Sequence, residues 1–134
     1  MILEGDRPTL VQQLVLLAVA GGLGALARYG LAGAASRVYG TGFPWGTFIV
    51  NAIGCFLFGV IWSLAEERLL LDAGSRAVIL TGFMGAFTTF STFIFETGEL
   101  IRADQWLLAI GNLGGQMVVG LVFLFIGIGV GRLF

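Results

Sequence analysis

The chain contains no histidine, and all seven of its basic residues are arginine, so lysine is absent as well. It has one cysteine, Cys55, two prolines and 11% charged residues, where soluble domains carry about 25%. With no imidazole and a single thiol, a zinc or haem site built from side chains is not expected, and neither is a disulfide within the chain. Cys55 reads as a small core residue. A net charge of -1 and the lack of a basic cluster give no case for a nucleic-acid partner. Little charge beside 57% hydrophobic residues leaves almost no room for a soluble domain and makes the lipid bilayer the expected solvent. The opening MILEGDRP has no basic run ahead of an apolar core, so no signal peptide is expected and the first helix should be retained.

What the chain does have is long apolar runs. A helix needs about 20 mostly apolar residues to cross a bilayer. Four segments qualify, at about 9–35, 44–65, 76–95 and 105–133. Pro8 suits the first position of the first helix. The pattern predicts an all-α membrane protein, residues 1–134 forming one four-helix domain with no internal repeat. Short connections at 36–43, 66–75 and 97–104 join the helices, and four crossings return both termini to one face. That face would carry Arg7, Arg68, Arg76 and Arg132, and the opposite face Arg28, Arg37 and Arg102. Arginine excess orients membrane proteins. Near balance fits insertion in both directions, hence an antiparallel homodimer. It also fits a singly oriented protein for which a small bias suffices.

The 22 glycines extend this reading. Helices in lipid associate by close packing, which small residues permit. Helix one offers Ala20 with Gly24 and Gly21 with Ala25. Helix two has Gly46, Gly54 and Gly59. Helix four has Gly111, Gly115, Gly120, Gly127 and Gly131. A bundle of four such helices has little interior, so a permeation path calls for a second subunit.

The third run, TGFMGAFTTFSTFIFE, is apolar but not uniformly so. Gly82 and Gly85 precede Thr88, Thr89, Ser91 and Thr92. Clustered hydroxyls can re-satisfy backbone groups released where a spanning helix breaks, and broken helices build ion sites. An unbroken helix with hydroxyls bonded to their own carbonyls is the plainer alternative. On helix two, Asn51 shares a face with Thr47; on helix four, Asn112 and Gln116 are four apart. Each amide is either glue between helices or a donor for an anion. Phe90 with Phe93, and Phe83 with Phe87, form aromatic stripes. Such stripes pack cores or face lipid, but a ring edge is electropositive and can meet an anion. Glu96 closes the third run, and either snorkels or serves the path. Arg28 is read as snorkelling. Trp45, Trp62 and Trp106 sit near helix ends, as interfacial anchors do.

GGLGALARY at 21–29, PWGTFIVNAIGCFLFG at 44–59 and GFMGAFTTFSTF at 82–93, in this order and in a four-helix chain, resemble the Fluc/CrcB family of bacterial fluoride channels. The resemblance covers essentially the whole chain. It implies an antiparallel, dual-topology homodimer in the bacterial inner membrane, with a break in helix three and two fluoride pores. It implies that Phe90 and Phe93 are the pore phenylalanines and Asn51 the pore asparagine, with Thr47 nearer the vestibule. Ser91 belongs to the same hydroxyl cluster and is included in the path, and Glu96 matches an acidic position beside the family's polar track. The resemblance further implies that backbone carbonyls of Gly85 and Thr88, at a break between them, hold one sodium ion shared by both subunits. On helix four the family can present tyrosine and serine where this chain has Asn112 and Gln116, and serine where it has Gly120.

The implied activity is passive export of cytoplasmic fluoride, protecting the cell from its toxicity. No enzyme chemistry is expected, because no nucleophile–base or metal constellation is present. The competing reading is a small proton-coupled exporter of organic cations built as an antiparallel dimer. That class needs a carboxylate deep in the membrane, and helices one, two and four have none at their middles.

Overall fold

The computed structural model describes residues 8–134; Arg7 and the rest of the first heptad lie outside the described residues. Helix α1 spans Leu10–Tyr39. Thr9, not Pro8, is its cap: the Thr9 hydroxyl accepts from Gln12 N–H while Gln12 Oε1 accepts from Thr9 N–H. Pro8 therefore precedes the helix. α1 runs four residues past the expected end and stops at Gly40, whose φ of 83° suits glycine. Helix α2, Trp45–Trp62, continues as a π-turn through Glu67.

The third span is composite. Asp72 caps α3, Ala73–Arg76, with its carboxylate on the Gly74 and Ser75 amides. A π-helical stretch, Ala77–Met84, follows, and then a single turn, α4, Gly85–Phe87. Thr88 and Thr89 are extended, with ψ of 159° and 115°. Helix α5, Phe90–Arg102, then resumes. The break is real, but it falls at Thr88–Thr89 rather than between Gly85 and Thr88, and Gly85 stays helical with φ -62°. α5 also extends well beyond the expected end at 95. Phe93, Thr97 and Leu100 recur at helical spacing and are buried on its inner face. The final helix, α6, is Trp106–Gly131.

All four spans are long and apolar enough to cross a membrane: Leu10–Tyr39, Trp45–Glu67, Ala73–Arg102 and Trp106–Gly131. The half of the third span before the break packs on α1, α1 packs on α2, and α2 lies along α6, which also supports α5. Three glycines make these approaches possible. A methyl at Gly24 would strike the Phe83 carbonyl, one at Gly59 the Leu124 carbonyl, and one at Gly127 the Phe56 carbonyl. Gly111 has open space around it and does no such packing. The core is small: Val50, Met84 and Phe87, flanked by Phe83 and neighbouring aliphatics. Phe83 and Phe87 stack at 5.9 Å, so that stripe is core.

Polar ties gather at the end where α1 begins and α6 finishes. Glu67 holds Arg132 through two bonds of 2.7 Å, Arg76 pairs with Glu66, and Arg68 donates to the Arg132 carbonyl. Burial is low outside the core. Much of α1 and α6 is exposed, as are Phe90, Ile94 and Phe95 on α5.

Candidate functional site

The break is held in place from across the bundle. Asn51, on α2, accepts from the Thr89 N–H at 2.9 Å and donates to the Thr89 carbonyl at 3.1 Å. One primary amide thus pairs both backbone groups of an extended residue, which lipid could not do. Thr89 then caps α5, its hydroxyl accepting from Thr92 N–H at 3.3 Å. Thr88 turns its own hydroxyl back to the Met84 carbonyl at 3.0 Å.

A wall of polar side chains leads away from the break. The second Asn51 N–H donates to Gln116 Oε1 at 2.8 Å. Gln116 Nε2 donates to Asn112 Oδ1 at 3.0 Å, and Asn112 Nδ2 to Thr97 Oγ1 at 2.9 Å. Thr97 donates to the Phe93 carbonyl at 2.8 Å. The expected stripe of Asn112 and Gln116 is therefore continuous with Asn51. In this single chain both Asn51 donors are committed, so the amide acts as glue and remains a donor only to whatever displaces Gln116.

Beside this wall lies an open groove of about 400 Å³. Asn51, Thr88, Thr89, Phe90, Phe93 and Gln116 line it, together with Cys55 and apolar residues. Phe90 and Phe93 meet edge to face, centroids 5.7 Å apart at 63°. Phe93 is buried, whereas Phe90 is 68% exposed. No charged side chain lines the groove.

The remaining expected site residues lie elsewhere. Thr47 and Glu96 share a second cavity of about 340 Å³ with Arg28, Tyr29, Thr89 and Thr92. Glu96 does not end its helix: α5 continues for about 9 Å beyond it. Arg28 is likewise about 16 Å short of the end of α1 and faces this cavity. Ser91 is exposed and lines neither cavity. Gly85 is exposed at the chain surface.

The break also changes what Gly85 and Thr88 present. In a continuous helix, Thr89 N–H would serve the Gly85 carbonyl and Thr92 N–H the Thr88 carbonyl. Here the first donates to Asn51 and the second to Thr89 Oγ1. Both carbonyls lose their helical donors. Neutral oxygens of this kind suit a hard cation. Among the described residues there is no cluster of three or more His, Cys, Asp or Glu that could hold a metal.

A family model described as "CrcB-like protein, Camphor Resistance (CrcB)" matches residues 15–128. The chain belongs to the CrcB family. The CrcB match encloses the break, both cavities and every expected site residue. Curated relatives agree. The chain is 55% identical over 87% of its length to the "Fluoride-specific ion channel FluC" of Nitrosococcus oceani, covering 93% of that protein. It is 52% identical to the protein of the same name from Solidesulfovibrio magneticus, covering 92% of this chain and 99% of the relative. A third of that name, from Chloroflexus aurantiacus, is 40% identical, covering 92% and 98%.

Two residues of this CrcB chain matter more than the sequence suggested. Thr89 was one hydroxyl in a cluster; its backbone proves to be the point where α2 grips the third span. Thr97 was placed in a connection, yet it is 4% exposed and ends the amide series. Its spacing of four from Phe93 and three from Leu100 was the available signal.

Proposed function

We propose that this chain is a passive, fluoride-selective ion channel that exports cytoplasmic fluoride. The observation that carries this is that relatives aligned across 87% to 92% of the chain are named fluoride-specific ion channels. The groove supports the same reading. Fluoride is small, strongly hydrated and an avid acceptor, so its path must offer donors without trapping it. Amides and phenylalanine edges do so, whereas a buried arginine would bind it. No pump is needed: an inside-negative potential drives an anion outward by about 2.3 kcal/mol per charge per 100 mV. Family membership decides against the proton-coupled cation exporter, even though Glu96 lies deeper in its helix than the sequence suggested. The test is anion efflux from liposomes bearing purified protein. Fluoride should pass and chloride should be strongly rejected. Equal passage of both, or movement of cations alone against a proton gradient, sinks the reading.

The working unit in this proposal is an antiparallel homodimer in the bacterial inner membrane, each copy completing the other's groove. The described arginines divide evenly, with Arg68, Arg76 and Arg132 toward one end and Arg28, Arg37 and Arg102 toward the other. The groove is open on one side, and Phe90, Ile94 and Phe95 beside it are exposed. Thr41→Cys in a Cys55-free background should be labelled from both sides of the membrane; labelling from one side only refutes dual topology.

Gly85 and Thr88 carbonyls from both copies would hold a structural sodium ion in this dimer. Bound there, the ion would satisfy the released oxygens and place positive charge near the path. Thr88→Ser should preserve it, because the ligand is backbone. A high-resolution structure in sodium with no density on the dimer axis rules the site out.

A further inference from the structure

Three primary amides stand in series, two lining the groove and Asn112 buried behind them, and their own shape does not say which way each points. A carboxamide has an acceptor on one side and donors on the other, nearly identical in form. Their neighbours decide. Thr89 N–H can only donate, so Asn51 must turn Oδ1 toward it, at 2.9 Å. That sends Asn51 Nδ2 to Gln116 Oε1, Gln116 Nε2 to Asn112 Oδ1, and Asn112 Nδ2 to Thr97 Oγ1. At the far end the single Thr97 hydroxyl proton goes to the Phe93 carbonyl at 2.8 Å. Its oxygen is left to accept. Both ends therefore impose the same direction.

We propose that Thr97 is a positioning residue for the anion path, fixing the direction of the amide series from the end remote from Asn51. The proposal rests on the channel reading. For an anion to take the Asn51 donor, Gln116 Oε1 must release it. For the anion to leave, that oxygen must reclaim it. Gln116 is thus a neutral acceptor that stands in for the anion between passages. Without its Asn51 partner, Gln116 stays an acceptor only while Asn112 holds its amide, and Asn112 is held by Thr97. A flipped Gln116 would offer a second donor and retain the ion. Water cannot substitute at the anchor, since Thr97 is 4% exposed and Asn112 0%.

The experiment compares Thr97→Val, which removes the hydroxyl at nearly constant shape, with Thr97→Ser, which keeps it. Two readouts are taken: fluoride efflux from liposomes, and the side-chain ¹⁵N–¹H resonances of Asn51 and Gln116. Thr97→Val should lower efflux about tenfold and shift both amide pairs, while Thr97→Ser should stay within about threefold of wild type with unshifted amides. Thr97→Val together with Asn112→Leu removes the buried Asn112 amide as well as the anchor, and leaves Gln116 Nε2 free to pair with water in the groove it lines. If only burial mattered, that double variant recovers native efflux and the proposal is overturned. Continued low efflux from a correctly assembled protein supports it. Unshifted amides in Thr97→Val also overturn it. A wild-type protein that passes no fluoride sinks the channel reading separately, and the amide resonances still judge Thr97.

Discussion

The groove and the second cavity meet at Thr89 but handle polarity differently. On the groove side, Asn51 has both donors and its oxygen paired. No formal charge is present there. On the other side, Arg28, Thr47 and Glu96 face one cavity, and Glu96 Oε2 has no hydrogen-bond partner among the described residues. Neutral donors bind an ion without holding it, so they suit the place where it sheds water. Charges act at longer range and suit a wetter entrance, where solvent tempers them. In the proposed channel, this contrast would place selectivity on the amide side and ion concentration on the charged side.

The largest effect should come from removing the residue that serves the break itself. Asn51→Ala deletes the pairing of both Thr89 backbone groups and the donor facing Gln116. Fluoride efflux should fall about 100-fold or more, because a preorganised donor and the shape of the path are lost together. Efflux from reconstituted protein within a few-fold of wild type would erase the distinction between the two cavities.

Next come the rings. Phe90→Ile and Phe93→Ile keep apolar bulk but remove the polarised edge, and each should lower efflux about tenfold while the protein stays folded. The two are placed differently. Phe93 is buried in this chain, whereas Phe90 is exposed. Native efflux in both would return the rings to simple packing.

How far these parts were legible depends on where their partners sit in the chain. The four spans follow from hydropathy, which is local. From Gly82, Gly85 and the hydroxyl cluster alone, a broken and an unbroken third span were both open, and the family resemblance implied the break. Its place was not legible, because the group that stabilises it, Asn51, lies 38 residues away. The same cause shortened the expected α5. TGELIR looks like a connection, but Thr97 is buried against Asn112, 15 residues on, and the helix continues. Once α5 is extended, Glu96 moves from a helix end to a helix interior. Ser91 was grouped with its neighbours by composition, but at its position on α5 it faces outward.

A smaller effect should come from the charged side. Glu96→Gln keeps the shape and removes a carboxylate that repels an approaching anion. Fluoride efflux at neutral pH should rise about threefold, less at high salt, where mobile ions screen the approach. Fluoride-over-chloride selectivity should not move, because the amide wall is untouched. A loss of selectivity would show that the two cavities do not divide the work as described.

The smallest effect should be that of Thr47→Val. Thr47 is 6% exposed, faces the cavity that contains Glu96, and is absent from the groove lining. Valine matches its shape but lacks the hydroxyl, so the variant tests polarity without a packing change. If the entrance works through charge, one neutral hydroxyl contributes little, and efflux should stay within about twofold of wild type. Its contact with the Glu96 environment gives a second reading. Residues that share a cavity couple, whereas those that act independently add. Thr47→Val should therefore have a different effect in a Glu96→Gln background from its effect alone, and should simply add to Phe93→Ile. Strong coupling to Phe93 and none to Glu96 would move Thr47 from the charged entrance to the selective wall. The boundary between the two regions would then lie on the far side of α2 from where Thr89 places it.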